Sequence, residues 1–332
     1  MEMKLPDHYI VLLSEAHSQL GIFCDLEKEN NVQTVVVKRR NIESRLLKTI
    51  RRLHTSWTIN RRIKLPFKNI WYEPLKLDIK PKEYYCIVFV DTVINNIKKE
   101  TIQKLCNLPN TRCVLVCINS IDAQSIGMLQ IRDTVFQINW DSVYTFDPGD
   151  REKYGYKDLK NCYYSLQNIP TQVVTNDVFF VGGLKGGRDE VIFQLFEFLV
   201  RNGVKCEFYI SALREQMIQN PPFKDKIHYY TGGWKPYEEI LEHNLKANVI
   251  IEILQENQAG PSLRYYEAVC YNRKLITTNK RAAELPFFNK EYMKIIDKPE
   301  DIDVEWVKKK ETVNYGYKGE FSPIRLLKVV LE

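Results

Sequence analysis

Apolar residues along this chain gather into short continuous runs rather than strict alternation. Ile10-Val11-Leu12-Leu13 and Cys86-Ile87-Val88-Phe89-Val90 are strand-sized. Strands are predicted at 9–14, 33–37, 84–90, 112–118, 177–182, 204–210, 226–230, 247–254, 274–277 and 293–296. Helical spacing of apolar positions predicts helices at 43–54, 95–107, 189–202, 236–246, 262–271, 302–309 and 322–331. Continuous apolar strands separated by helices mark parallel sheets covered on both faces, an α/β class. Residues 147–177 break this rhythm with Pro148, Gly149, Gly155, Pro170 and many tyrosines, and read as a linker between two α/β halves. The 332 residues agree, since a domain takes roughly 150. From Val178 the second half alternates strand and helix regularly, the order of a doubly wound sheet whose ligands bind at the carboxyl ends of the strands.

Composition narrows the class. At 44% hydrophobic and 27% charged residues the chain is globular, not disordered, collagenous or coiled-coil. No apolar run approaches the ~18 residues of a membrane span, and the first residues do not pattern as a secretory signal, so the expected location is the cytosol. None of the eight cysteines forms a C-x-x-C pair, and most sit inside apolar runs, which predicts reduced, packed thiols. The net charge is an ordinary +6, but eleven basic residues and one acid, Glu43, fall between Lys38 and Lys68. Within that stretch Leu46, Leu47, Ile50 and Leu53 recur at helical spacing. The expectation is a helix packed by its apolar stripe, with its basic side facing an anionic partner: a phosphorylated acceptor, a membrane surface or nucleic acid.

Two turns in the second half carry candidate chemistry. Gly182-Gly183-Leu184-Lys185-Gly186-Gly187-Arg188 joins a strand to a helix. Its glycines admit close backbone approach, the helix start offers free N–H groups, and Lys185 and Arg188 add charge, so a diphosphate is the expected guest. The spacing is neither the dinucleotide fingerprint nor the P-loop. That disfavours a Rossmann oxidoreductase. Further on, Gln258-Ala259-Gly260-Pro261-Ser262 leads into a helix on which Arg264 and Glu267 share a face. Glu267 has the two acceptor oxygens that match vicinal ribose hydroxyls, Arg264 suits phosphate oxygens, and Ser262 suits a cap or a phosphate. Tyr229-Tyr230 before Gly232-Gly233-Trp234 offers an aromatic platform for a base.

These residues resemble a known family. SLRYYEAVCYNRKLITTNK is similar to the nucleotide-sugar site of GT-B glycosyltransferases, and Glu267 falls where that pattern holds the ribose. TFDPGDREKYGY, NDVFFVGGLKGGRDE, EILEHNLKANVIIEILQENQAGPSLRYYEAVCYNRKLITTNK and KPEDIDVEW resemble glycosyltransferase-like proteins of bacterial capsule and lipopolysaccharide gene clusters. LHTSWTINRRIKLPFKNIW adds a weaker echo. The resemblance implies two Rossmann-like doubly wound domains facing a cleft: an acceptor domain over 1–165, a nucleotide-sugar domain over 166–320, and a last helix, 321–332, crossing back to the first. It implies a nucleotide diphosphate-sugar donor, no further cofactor, and a glycan or lipid-linked glycan acceptor at the inner membrane surface. Gly183, Lys185, Arg188, Tyr230, Gln258, Gly260, Ser262, Arg264 and Glu267 would line the donor site. One departure stands out. Eight positions before Glu267, where many retaining members carry a second glutamate, this chain has Ala259. A non-catalytic relative, or an anion- or nucleic-acid-binding protein, stays open as an alternative.

The remaining candidates are weaker patterns. Asp301-Ile302-Asp303 spells a metal motif but opens a short helix, where acids are common for dipole reasons, so no metal is expected. The histidines lack metal spacing. For an acceptor-side base, Glu15 and His17 follow the first strand, and Asp91 ends strand 84–90. Asp91 is favoured as a carboxylate expected to point into the cleft.

Overall fold

The computed structural model describes residues 5–54, 56, 59, 62–63, 68–122, 132, 134–170, 172–184, 187–211, 221–231 and 236–332. The chain divides into two compact units. One is Met1–Ser165 with Ser322–Glu332, and the other is Leu166–Phe321.

The first unit is built on a six-stranded parallel sheet: β1 (His8–Ser14), β2 (Val32–Val37), β3 (Tyr85–Val90), β4 (Thr111–Cys117), β5 (Ser142–Thr145) and β6 (Lys157–Asp158). The order is β2-β1-β3-β4-β5-β6, so the winding reverses between β1 and β3. Every residue of β3 is buried, and Ile10, Leu12, Ile87, Phe89 and Leu115 meet in its core. Four described helices precede the second unit: α1 (His17–Ile22), α2 (Arg45–His54), α3 (Lys99–Cys106) and α4 (Pro148–Tyr154).

The predicted linker is corrected here. Asp147 caps α4 by accepting from Gly149 N and Asp150 N at 2.8 and 3.3 Å, Pro148 is its first residue, and Gly155 ends it at φ +69°. This turn belongs to the first unit and lies between β5 and β6. The last helix, Pro323–Val329, packs in the same unit: Tyr9 Oη donates to Leu327 O at 3.1 Å, and Ser322 Oγ donates to Asp25 Oδ2 at 2.7 Å.

The second unit holds another six parallel strands: β7 (Asn176–Gly183), β8 (Cys206–Ser211), β9 (His228–Tyr230), β10 (Ala247–Glu252), β11 (Lys274–Thr277) and β12 (Met293–Ile295). Their order is β12-β11-β10-β7-β8-β9, the nucleotide-binding order with its reversal between β7 and β10. Helices α5 (Asp189–Arg201), α6 (Tyr237–Leu245), α7 (Leu263–Cys270) and α8 (Val304–Lys308) cover it. Val178, Phe180, Ile192, Phe196, Phe208, Val249 and Ile251 form its core. None of the eight cysteines is in a disulfide, and five are buried. No helix among the described residues is long and apolar enough to cross a membrane.

Candidate functional site

The carboxyl edge of the second sheet, at its point of reversal, is held by one arginine. Arg188 precedes α5, and its guanidinium turns back. Nε donates to Gly183 O at 3.0 Å and Nη1 to Ile253 O at 2.7 Å, joining the ends of β7 and β10. Burial lowers its pKa to about 10, so it stays a cation at neutral pH. Gly182 makes room for this: a Cβ there would lie 2.5 Å from Phe180 Cζ and 3.3 Å from Arg188 Nη2. Gly187 takes φ +73°, and a Cβ there would lie 3.2 Å from Glu256 Oε2. Lys185, predicted to join Arg188, lies outside the described residues.

Beside Arg188 a pocket of about 420 Å³ opens between the loops that follow β7, β10 and β11. That volume lies within the ~300–1,000 Å³ of small-molecule sites. Arg188, Gln258, Ala259, Thr278, Lys280 and Arg281 line it, with Glu256 and Asp297. Lys280 pairs with Asp297, and Arg281 reaches Glu284 Oε2 through Nε and Nη2 at 3.0 and 2.9 Å. The three cations outnumber the two lining acids, and an entering anion competes for the exposed pairs, which are weak.

Several residues predicted to touch a donor are bonded within the chain. Ser262 caps α7, its Oγ accepting from Arg264 N at 3.3 Å, while Ser262 N donates to Glu252 Oε1 at 2.6 Å. Thr277 Oγ1 donates to Glu252 Oε2 at 2.6 Å. The chain's own buried carboxylate thus takes an N–H at the start of α7 that the sequence offers to a phosphate. Burial raises the Glu252 pKa. Gly260 is buried in the turn, and its carbonyl accepts from Gln258 Nε2 at 3.0 Å.

Glu267, expected to hold a ribose, is fully buried and is not among the residues that line the pocket. Tyr237 Oη donates to its Oε1 at 2.9 Å, Asn244 Nδ2 donates to Oε2, and Arg264 Nη1 lies 2.7 Å from Oε2. The predicted shared face of Arg264 and Glu267 is there, turned inward as an ion pair. Burial pushes the Glu267 pKa up to about 7 against the opposing pull of Arg264. Tyr230 is half-buried on β9, packed against the cluster of Val181 and Tyr209, and Gly232–Trp234 lie outside the described residues. Asp301 Oδ2 accepts from Asp297 N and Lys298 N at 2.8 and 3.0 Å, and Asp303 Oδ1 from Trp306 N at 3.1 Å, so both acids serve backbone turns.

Sequence reasoning missed Thr278, Lys280 and Arg281. Their signal is the polar run directly after the short apolar strand β11. It also missed Glu252, the acid that ends β10, and Tyr237 with Asn244, two turns apart on α6.

In the first unit, Asp91 does not point outward, a correction to its predicted role. It is fully buried, Oδ1 accepts from Thr92 N at 2.6 Å, and Oδ2 accepts from Ile118 N and Asn119 N at 3.0 and 2.8 Å. It fastens the loop after β4 to the end of β3. Asp150 holds the same loop, accepting from Ile121 N at 2.8 Å. Glu15 is exposed just beyond β1; His17 begins α1, and its side chain lies outside the described residues.

Burial raises the Asp91 pKa to about 6, above the ~3.9 of an unfolded chain. The fold therefore favours the protonated acid. That contribution is complete below about pH 4 and is lost as pH rises through about 6. The stability gap between wild type and Asp91→Asn should shrink by on the order of 2–3 kcal/mol between about pH 4 and pH 8, read by urea unfolding. A gap that is constant or widens with pH contradicts this.

No protein-family model matches the sequence, and no curated protein matches it. Solved structures do. AviGT4, a glycosyltransferase involved in avilamycin A biosynthesis, aligns over 98% of this chain and 96% of its own at a TM-score of 0.51 and 8% identity. The chain has the GT-B fold. The lipopolysaccharide outer core galactosyltransferase WaaB aligns over 97% of this chain and 98% of its own, at a TM-score of 0.47 and 13% identity. A Listeria monocytogenes protein described as a UDP-N-acetylglucosamine 2-epimerase aligns over 98% and 95%, at 0.47 and 11%. A GT-B fold does not itself fix a reaction, so function is argued from the site.

Proposed function

We propose that this chain is a glycosyltransferase whose second unit holds a nucleotide diphosphate-sugar in the pocket beside Arg188. The observation that carries the reading is that pocket: about 420 Å³ at the point of reversal of a doubly wound sheet, lined by Arg188, Lys280 and Arg281. The diphosphate gains negative charge as the glycosidic bond breaks, and cations fixed beside it stabilise the leaving group. With three side-chain cations there, the transfer proposed is metal-independent. Glu252, bonded to Ser262 N and Thr277 Oγ1, ties the start of α7 to the ends of β10 and β11. The acceptor proposed is a glycan or lipid-linked glycan of cell-surface polysaccharide synthesis, on the resemblance of the segments quoted above. With Asp91 committed to its loop, Glu15 is the exposed carboxylate proposed to take the acceptor proton.

The test is turnover with a panel of nucleotide sugars, following free nucleoside diphosphate and the sugar product. Transfer should persist in EDTA, and Glu15→Gln should lower kcat by roughly 10²-fold or more. Loss of activity in EDTA that Mg²⁺ or Mn²⁺ restores contradicts the metal-independent reading. Conversion of the sugar without release of nucleoside diphosphate contradicts transfer itself and indicates epimerisation.

A further inference from the structure

Helix α2 contradicts the expectation that its apolar stripe is packed inward. None of its ten residues is buried. Leu46 is 69% exposed, Leu47 45% and Leu53 51%. The helix is tied to its unit elsewhere. Arg51 Nη1 donates to Arg40 O at 2.9 Å, and His54 Nδ1 accepts from the buried Trp71 Nε1 at 3.1 Å. Leu46 and Leu53, two turns apart, therefore share one solvent-facing flank. Arg45, Lys48 and Arg52 stand exposed around the other side, and α2 contains no acid.

We propose that α2 is an interfacial helix by which the first unit docks on an anionic bilayer. An interfacial helix has an apolar flank that enters the boundary between headgroups and acyl chains, with basic residues beside it at the level of the lipid phosphates. Each half of α2 needs the other to explain it. Nucleic acid would satisfy the arginines and leave the leucines in water. A neutral apolar groove would take the leucines and leave Arg45, Lys48 and Arg52 without counter-charges. An anionic bilayer takes both in one contact, and the net charge around α2 has the matching sign: Lys38–His54 holds seven lysines and arginines against Glu43. Ile63 and Ile70, which follow the helix in the sequence, are also exposed. The inference does not depend on the donor pocket, which belongs to the second unit.

The full chain is co-sedimented with vesicles of phosphatidylcholine alone and of phosphatidylcholine with phosphatidylglycerol. The proposal expects binding to the anionic vesicles only, weakened by salt. Replacing Arg45, Lys48 and Arg52 together by Gln should weaken it by about a hundredfold, the scale of three basic residues at such a surface. Leu46→Ser with Leu53→Ser should weaken it by at least about tenfold. Circular dichroism, melting temperature and nucleotide affinity should match wild type in both variants. Equal binding to both vesicle types, or to neither, overturns the proposal. So does wild-type vesicle binding by the leucine variant. Binding to a duplex oligonucleotide that needs the three cations but not the leucines, with no vesicle binding, overturns it in favour of nucleic acid.

Discussion

Glu267→Ala is expected to destabilise the second unit by about 3–5 kcal/mol, the cost of removing one partner of a buried ion pair. The side chain is fully buried, with Tyr237, Asn244 and Arg264 all directed at its carboxylate. Deleting it leaves a phenol, an amide and a guanidinium without their common acceptor. For a unit of this size, the fall in melting temperature is about 10 °C. Adding Arg264→Met should recover part of the loss, because the stranded charge goes with it. Urea unfolding of the single and double variants checks this. A Glu267→Ala protein as stable as wild type would return Glu267 to the role of an available ligand group.

The second large effect concerns the pocket. Ala259 is half-buried and lines it. Ala259→Trp adds an indole at the pocket lining, so the pocket should lose much of its volume. Nucleotide-sugar affinity should fall by on the order of a hundredfold or more, since a ligand that buries most of its surface in such a pocket has no alternative seat. Titration calorimetry reads the change. Unchanged affinity with an unchanged melting temperature would place the donor elsewhere.

What the sequence disclosed followed burial. β1, β3, β4, β7 and β10 are buried along almost their whole length, so their apolar runs stood out. β6 is two exposed polar residues at a sheet edge and has no apolar signature to read. α4 carried an N-cap, an N1 proline and a closing glycine, but at seven residues it was lost among the tyrosines. For the site, charge position was legible and side-chain direction was not. Arg188 follows its glycine turn as expected, yet only the structure shows it reaching back to two strand ends. Arg264 and Glu267 were legible as an i,i+3 pair, and their inward turn was not, because α6 supplies the partners from thirty and twenty-three residues away. Glu252 reads as an interruption of a strand until Ser262 and Thr277 are seen to close on it. In α2 the period was right and the packing wrong. Periodicity places leucines on one face without saying what covers that face.

The most direct test of the donor site is amide hydrogen exchange with and without a nucleotide diphosphate-sugar that the chain binds. Groups ordered by the ligand open less often and exchange more slowly. The donor-site assignment predicts protection concentrated at Gly187–Arg188, Ile253–Ala259 and Thr278–Arg281, absent in Ala259→Trp. Protection confined to the first unit, or spread evenly over both, would contradict it.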